Sequence, residues 1–247
     1  MALVFRDLSF RYHRNAEVFS GLDLCLAGPS TVLLGPNGAG KSTLMALAAS
    51  QLRPLRGAVS WADAAPTGRR ATARYRRAVA WIPQQVTAVP GLTVREQVAY
   101  AGWLKGLSRG SAWEASSRAL ERVGLQALAG RKSHQVSGGQ LRRMGIAAAL
   151  THRSELILMD EPTAGLDPQQ RGVFRTLVEE LSATVQVVVS THQTEDLAAL
   201  YEQVVVLDRG HVRFQGTTAE FYALAAADPS PRERAEAAYA QLVGREV

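Results

Sequence analysis

Positions 35–42 read Gly35-Pro36-Asn37-Gly38-Ala39-Gly40-Lys41-Ser42. This stretch matches the phosphate-binding loop pattern G-x-x-x-x-G-K-[ST]. The apolar segment STVLLG (30–35) leads into the loop as a short strand, and a helix is predicted from Lys41 to about Leu52. This order predicts an α/β protein that holds a nucleotide at the turn. The reaction stays open, because kinases and GTPases share the pattern.

The residue types of this loop suit a polyphosphate. Successive backbone N–H groups and the helix N-terminus neutralise part of the phosphate charge. Side chains would keep phosphates away from the backbone, which favours glycine at Gly35, Gly38 and Gly40. Lys41 is expected to reach the β- and γ-phosphates, and the Ser42 hydroxyl is expected to ligate Mg²⁺.

Two carboxylates follow a second apolar strand. LILMD (156–160) is a continuous apolar run that predicts a central parallel strand, with Asp160 at its end and Glu161 next to it. Burying carboxylates is costly without a partner, and the carboxyl ends of parallel strands face the crevice where ligands bind. We expect Asp160 to contact Mg²⁺ and Glu161 to act as the base that polarises water. A pair facing solvent is the structural alternative.

A third signal lies between the loop and the carboxylates. Ser137-Gly138-Gly139-Gln140 precedes a basic and apolar helix, LRRMGIAAAL (141–150). Taken alone, a serine followed three residues later by a glutamine is a helix capping box. Glycines at a helix start also expose N–H groups that suit an anion, so the residues alone leave both interpretations open.

In this order the motifs resemble the ATP-binding cassette (ABC) transporter family. GPNGAGKST (35–43) is similar to the family's phosphate loop, VSGGQ (136–140) to its signature, LILMDEP (156–162) to its second nucleotide motif, and AGLD (164–167) to its D-loop. The resemblance covers about residues 2–216. Its departures, Val136 and Met159 where leucine is common, exchange one apolar side chain for another.

Three single residues extend the resemblance. Gln84 resembles the Q-loop glutamine, His192 the switch histidine, and Tyr12 the aromatic side chain that stacks on adenine. For the adenine-stacking role, Phe10 and Phe19 compete with Tyr12.

The resemblance implies a P-loop NTPase (RecA-like) core with an N-terminal antiparallel β subdomain and an inserted α-helical subdomain. One cassette domain is expected over 1–247. The core and β subdomain would occupy 1–89 and 151–216. The helical subdomain with the signature would occupy 90–150, and a C-terminal helical tail 217–247.

The resemblance also implies roles for the site residues, with ATP and Mg²⁺ as ligands. The catalytic residues would be Lys41, Gln84, Glu161 and His192. The ligands of Mg²⁺ would be Ser42, Gln84 and Asp160. The residues expected to bind ATP are Tyr12, Gly35, Pro36, Asn37, Gly38, Ala39, Gly40, Lys41, Ser42, Thr43, Ser137, Gly138, Gly139, Gln140 and Asp167.

Two cassettes of this family stack head to tail. The resemblance therefore implies that ATP held at 35–43 of one subunit is capped by 137–140 of a second copy or of a paralogue. The membrane helices would come from a separate permease. The stretch GLTVREQVAYAGWLKGL (91–107) resembles export-type cassettes that pair with a separate permease.

Composition limits the class of protein. With 47% hydrophobic and 20% charged residues, the chain is expected to fold around a full core. No apolar run is long enough to span a bilayer, and Arg6 comes too early for a signal-peptide core. We therefore expect a cytoplasmic protein, peripheral on the inner face of the cell membrane through its permease. Cys25 is the only cysteine, and a small core residue is its expected role.

The net charge of +6 is compatible with lipid headgroups, nucleotides or nucleic acid. Its densest run is Arg69, Arg70, Arg74, Arg76 and Arg77. We interpret this run as a solvated loop, with a binding patch as the alternative. Only Tyr75 interleaves with it, so nucleic acid is not expected as a partner.

Two other functions compete with a transport ATPase. The first is a soluble cassette ATPase of DNA repair or translation, which usually carries paired cassettes or a long coiled-coil insert. The second is a nucleotide-sensing module that does not hydrolyse ATP. The presence of Lys41, Asp160, Glu161 and His192 argues against the second function.

Overall fold

The computed structural model describes residues 1–13, 16–197, 200–225 and 231–243. Their strands are β1 (Leu3–Arg11), β2 (Glu17–Leu26), β3 (Ser30–Leu34), β4 (Arg56–Trp61), β5 (Val79–Ile82), β6 (Leu156–Asp160), β7 (Gln186–Thr191), β8 (Gln203–Asp208) and β9 (His211–Thr217). Their α-helices are α1 (Lys41–Ala48), α2 (Gly68–Ala78), α3 (Val94–Leu104), α4 (Arg109–Arg122), α5 (Gly138–Thr151), α6 (Pro168–Ser182), α7 (Thr218–Ala223) and α8 (Pro231–Val243).

An antiparallel sheet is built from the start of the chain in the order β2-β1-β4. Side chains of β1 and β2 alternate between the core and solvent, as predicted for half-buried strands. This alternation corrects the expectation for Cys25. Leu24 and Leu26 point into the core, so Cys25 between them lies on the opposite, exposed face.

The larger sheet has the order β5-β6-β7-β3-β8-β9 in the described part of the chain. Its pairs are parallel except for β8 with β9, which form an antiparallel hairpin around Arg209 and Gly210. Every residue of β3 and β6 is buried, because apolar clusters cover both faces of the sheet. The α/β fold predicted from the sequence is confirmed.

Helices α3, α4 and α5 follow one another between β5 and β6, with no strand among them. Their assignment to a separate helical subdomain over 90–150 stays a prediction. A capping box opens α3: Glu96 Oε2 accepts from Thr93 N at 2.7 Å, and Thr93 Oγ1 accepts from Glu96 N at 3.2 Å. Asp167 caps α6 by accepting from Gln170 N at 2.8 Å, as expected for a helix that begins at Pro168.

Two helix predictions were wrong in part. Helix α1 ends at Ala48 rather than near Leu52. The basic run is an α-helix, α2, rather than a loop. Thr67 precedes α2 but makes no side-chain capping bond, and contacts with the end of α1 hold this helix in place. Buried Tyr75 donates to Ala48 O at 2.6 Å, and Arg76 Nε donates to Ser50 Oγ at 2.8 Å.

The C-terminal tail is helical where it is described. A capping box at Thr217 opens α7, and α8 begins at Pro231; Pro229 lies outside the described residues. Helix α8 packs against the short 3-10 helix Thr194–Leu197. Across all four described ranges, no helix combines the length and the apolar character needed to cross a membrane.

Candidate nucleotide-binding site

The phosphate-loop residues lie at the carboxyl edge of the parallel strands. Strand β3 runs into the loop, β5 leads toward Gln84, β6 ends at Asp160 and β7 leads into His192. These segments therefore meet where ligands bind in open α/β sheets. A cavity of about 320 Å³ is lined by Val18, Pro36, Asn37, Gly38, Ala39, Gly40, Lys41, Ser42, Thr43, Gln84, Glu161 and His192.

The three loop glycines are required for different reasons. A Cβ on Gly35 would lie 2.2 Å from Leu207 O, so the neighbouring strand β8 excludes a side chain there. A Cβ on Gly40 would lie 2.9 Å from Phe19 Cζ. Gly38 has a φ of 82°, and a Cβ added there would meet no atom within 4 Å, so open space surrounds it. Of the three, only Gly38 faces room that a phosphate group can occupy.

Lys41 is buried and already engaged. Its Nζ donates to Gly35 O at 2.7 Å and to Pro36 O at 3.1 Å, and it lies 3.4 Å from Glu161 Oε1. Burial lowers the pKa of Lys41, while the charges of Glu161 and Asp160 act in the opposite direction. A buried ammonium is costly unless negative charge lies beside it, and a phosphate oxygen can supply that charge.

Asp160 and Glu161 are held by a residue that the sequence analysis missed. Ser190 Oγ donates to Asp160 Oδ1 at 2.6 Å and accepts from Glu161 N at 3.1 Å. Ser190 is buried in β7, whose run QVVVST offers one signal, a polar residue inside an apolar strand. Glu161 itself has a φ of 46°, in the left-handed region that non-glycine residues seldom adopt. Such strain is often found at functional sites.

His192 lies against the same carboxylate. Its Nδ1 is 2.8 Å from Glu161 Oε2, and since a carboxylate accepts, Nδ1 carries the hydrogen and donates it. Nε2 is then the ring nitrogen not used by this bond. Glu161 therefore has Lys41 on one oxygen and His192 on the other, which fixes the direction of its carboxylate within the cavity.

The residues present fit a Mg²⁺ ion. Magnesium prefers oxygen ligands and usually takes only one or two from the protein, with water and substrate phosphates completing the shell. Ser42 and Gln84 line the cavity with their oxygen-bearing side chains, and Asp160 ends the adjacent strand. The bond from Ser190 engages Oδ1 of Asp160. The roles of Ser42, Gln84 and Asp160 as ligands remain a prediction.

Tyr12 is the one aromatic candidate whose ring is accessible. Its side chain is 54% exposed, whereas Phe10 and Phe19 are buried and cannot offer a face to adenine. The Tyr12 hydroxyl lies 3.1 Å from Thr43 Oγ1, which places the ring beside the phosphate loop. Phe10 meets that ring edge to face at 5.0 Å between centroids. Stacking on adenine remains a prediction.

The signature residues lie outside this cavity. Ser137 and Gln140 form the capping box predicted for the start of α5, with Gln140 Oε1 accepting from Ser137 N at 2.8 Å. Ser137 and Gly138 are exposed at that helix start, as is Asp167 at the start of α6. One subunit therefore brings together the loop, Gln84, Glu161 and His192, but leaves the signature and Asp167 at a separate surface.

A second residue missed by the sequence analysis links that surface to the catalytic strand. Arg142, one turn into α5, donates to Pro162 O at 2.8 Å and also to Ala164 O. Both acceptors lie in the turn directly after Glu161. An arginine in a basic helix gives no sequence signal for such long-range contacts, so only the folded chain reveals them.

Comparison with known proteins gives a consistent result. A family model described as ABC transporter matches residues 21–164, more than half of the chain. The linearmycin resistance ATP-binding protein LnrL of Bacillus subtilis is 36% identical over 77% of this chain, and the match spans 61% of that relative's length. The cobalt import ATP-binding protein CbiO of Rhodobacter capsulatus is 39% identical over 88% of this chain and 79% of its own.

A solved structure extends the likeness to three dimensions. The dimeric structure of MJ0796, described as a bacterial ABC transporter cassette, superimposes with a TM-score of 0.77 at 25% sequence identity. The match covers 87% of this chain and 98% of that one.

Proposed function

Because this chain belongs to the ABC transporter family, whose ATP-binding ATPase domain it carries, we propose that it hydrolyses ATP between two head-to-tail cassettes and so drives a separate permease. One observation carries the proposal. Lys41, Glu161 and His192 meet in one cavity with the phosphate loop, while the signature of the same subunit lies at another surface. The phosphate loop of one subunit would then form a complete site only with the signature of a second subunit.

In the proposed reaction, the chain's own groups position the reactants. Lys41 exchanges its contact with Glu161 for a phosphate oxygen, which frees the carboxylate to accept a proton from the attacking water. His192 keeps Glu161 oriented through its Nδ1–H, and Gln84 lies across the same cavity. Mg²⁺, when bound, neutralises charge on the phosphates. Because phosphoryl transfer depends mainly on positioning, closure of the second subunit would decide the rate.

Two inactive variants can test the shared site. Lys41→Ala removes the phosphate-binding ammonium, and Ser137→Arg places a bulky cation at the signature. Each variant alone is expected to lose ATP hydrolysis. In a mixed dimer, the intact loop of the Ser137→Arg chain faces the intact signature of the Lys41→Ala chain. An equal mixture should then regain roughly a quarter of the unaltered rate, since half of the dimers are mixed and each has one complete site.

The control for this experiment is Ser117→Arg, a substitution in α4 away from the signature. It is expected to hydrolyse ATP at the normal rate. If Ser137→Arg alone were as active as the unaltered chain, the shared site would be wrong. A mixture that stays inactive although mixed dimers form would count equally against the head-to-tail arrangement.

The partner and the location belong to the same proposal. We place the chain at the inner face of the cell membrane, held there by a permease from another gene. The names of its relatives support this assignment, since LnrL and CbiO are both named as ATP-binding proteins for resistance or import. Neither name points to DNA repair or translation. Nucleic acid is therefore expected to leave the ATPase rate unchanged.

Export is the direction we propose, on the strength of the stretch at 91–107 and of the resistance-protein relative. The relatives divide on this point, because CbiO is named for cobalt import. Coexpression with the permease in inside-out vesicles tests it. Export requires ATP-dependent accumulation of cargo inside such vesicles, whereas an importer would empty them.

A further inference from the structure

The first third of the chain has an unusual balance of charge. Between Asp23 and Glu96 the only acidic residue is Asp63. The same stretch contains the basic residues Lys41, Arg53, Arg56, Arg69, Arg70, Arg74, Arg76, Arg77 and Arg95. Lys41 belongs to the nucleotide site and Arg56 pairs with Asp7 at 2.9 Å. The arginines of α2 do not line the nucleotide-binding cavity, so that site does not explain their presence.

These arginines cover the solvent side of α2. Tyr75 is the only buried residue of that helix, and Arg69, Arg70, Arg74, Arg76 and Arg77 are all exposed. Within the four described ranges, none of the five forms an ion pair with an acidic side chain. Their charge is therefore uncompensated along three turns of helix.

Stability of the helix does not account for the first three. Arg69 and Arg70 lie in the first turn, where the helix dipole disfavours cations. Arg70 and Arg74 are four residues apart, a spacing at which like charges repel. The last two have local contacts, since Arg76 bonds to Ser50 and the Arg77 guanidinium lies over Gly106. The repulsion among these arginines is therefore unfavourable in the chain alone, and an anionic partner would relieve it.

A basic groove adjoins the helix. Its volume is about 660 Å³, and it lies between the end of α1, strand β4 and α2. Arg53, Arg69 and Arg76 line it, and no acidic side chain does. We call Arg53, Arg69, Arg70, Arg74, Arg76 and Arg77 together the arginine face.

Exposed apolar side chains continue this surface beyond the end of α2. Lys105, which follows α3, donates to the carbonyl of Arg76 and so joins the two helix ends. On α3, Tyr100 and Trp103 stack at 5.7 Å between ring centroids, and Leu104 is 61% exposed. Amphipathic aromatic rings beside basic residues are typical of surfaces at the membrane–water interface.

We propose that the arginine face binds anionic phospholipid headgroups of the membrane. Clusters of four to eight basic residues on a helix are typical of such binding, and guanidinium forks match phosphate oxygens. Arg70, Arg74 and Arg77 are exposed but do not line the groove. An acidic protein segment held in the groove would leave them without a partner, whereas a lipid surface contacts the whole exposed row and the neighbouring aromatic rings. The inference depends on the proposed function in one respect, which is that the chain lies beside a membrane.

The position of α2 gives this contact a route to the nucleotide site. Helix α2 continues directly into β5, which leads to Gln84. Arg76 also holds Ser50 at the end of α1, the helix that begins with Lys41. A headgroup bound at the arginine face would therefore contact a helix that is joined to β5 and bonded to the end of α1, and both of these elements lead to the nucleotide site.

Sedimentation with vesicles tests the proposal on the purified full chain. The probes are phosphatidylcholine vesicles with and without phosphatidylglycerol. The unaltered chain should sediment only with the phosphatidylglycerol vesicles, and added salt should release it. The triple variant R69Q/R70Q/R74Q should bind them roughly 100-fold more weakly. The control R6Q/R118Q/R175Q removes the same charge from exposed sites elsewhere and should weaken binding far less.

ATP hydrolysis by each variant serves as the check of folding, and the triple variant should match the unaltered rate. The single variants R70Q and R74Q, each expected to weaken binding about fivefold, provide a second measure. Equal binding by the triple variant and its control would overturn the proposal. So would binding to soluble polyglutamate without binding to vesicles, which would assign the face to an acidic protein partner. Neither result would affect the proposed ATPase function, which is measured separately.

Discussion

The carboxylate of Glu161 lies 3.4 Å from the Lys41 ammonium, and both side chains are more than nine-tenths buried. The residue expected to bind phosphate is thus paired with the residue expected to activate water. A triphosphate would separate them, because its charge competes for Lys41. Nucleotide binding and release of the catalytic base are therefore expected to be one event.

Replacing Glu161 with glutamine should lower the rate of ATP hydrolysis about 10²–10⁴-fold while ATP still binds. Without nucleotide the variant should also melt at a lower temperature, since Lys41 loses its anionic partner in a buried site. ATP should restore much of that loss. Thermal melting with and without ATP measures it, and Glu180→Gln, an exposed substitution in α6, is the control. A variant as fast as the unaltered chain would point to a module that does not use Glu161.

The same Glu161→Gln variant should form a dimer at saturating ATP. Two subunits of net charge +6 gain nothing from their overall charge, although salt screens most of the repulsion beyond about 8 Å. Bound ATP supplies local negative charge at the seam. We expect a monomer without nucleotide and a dimer with it, measured by light scattering. A monomer at saturating ATP would contradict the sandwich.

Gly35 and Gly38 should respond differently to alanine. At Gly35 a methyl group would collide with Leu207 O, so Gly35→Ala should lower the free energy of unfolding by several kcal/mol. At Gly38 the space is open and only the positive φ is unfavourable, at a cost of about 1 kcal/mol. Gly38→Ala should nevertheless weaken ATP binding, because the methyl group occupies the phosphate's space. Denaturant unfolding and nucleotide titration distinguish the two effects.

Arg142 is predicted to be a positioning residue for the turn after Glu161. Arg142→Gln should lower stability by about 1.5–3 kcal/mol and reduce kcat, since two charged hydrogen bonds to that turn are lost. The matched control is Arg143→Gln, because Arg143 lines the same cavity beside the signature but bonds to Val123 O at 3.1 Å rather than to the turn after Glu161. The control should lose stability but retain kcat. Equal kcat in both variants would reduce Arg142 to a structural role.

His152 makes the chain's stability depend on pH. Burial, with a smaller effect of nearby Lys105, lowers the pKa of His152 from 6.5 to about 4, against a bond of Nδ1 to Ala148 O. The unfolded chain takes up this proton below pH 6.5, whereas the folded chain stays neutral until about pH 4. The free energy of unfolding therefore falls as the pH drops through that window, by at most about 3 kcal/mol.

The substitution His152→Leu should flatten this slope. Denaturant unfolding of both chains between pH 7 and pH 4 provides the comparison, and the difference in slope is the readout, since the substitution also changes packing. His211→Gln, in the exposed strand β9, should keep the slope of the unaltered chain. A slope unchanged by His152→Leu would assign the pH dependence to other groups.

Individual strands, turns and helix starts could be predicted from the sequence, because they depend on interactions between residues that are close together in the chain. The glycine pattern at 35–42 required a strand, a turn and a helix, and a five-residue apolar run predicted the central strand β6. Three helices begin directly after a capping residue that can be read from the sequence, at Thr93, Ser137 and Asp167. By contrast, Thr67 before α2 makes no side-chain capping bond, and this helix bonds to Ala48 and Ser50, which lie more than twenty positions away in the chain.

How these elements combine to form one site can be seen only in the folded chain. The strand edges bring Lys41, Glu161 and His192 within bonding distance although they lie up to 151 positions apart, and no spacing rule encodes such approach. The contacts of Ser190 and Arg142 were not predicted, because the order of strands in the sheet and the packing of helices determine which residues they meet. The misprediction of Cys25 is different, because the alternation in LDLCL (22–26) already assigns Leu24 and Leu26 to one face of the strand and Cys25 to the other.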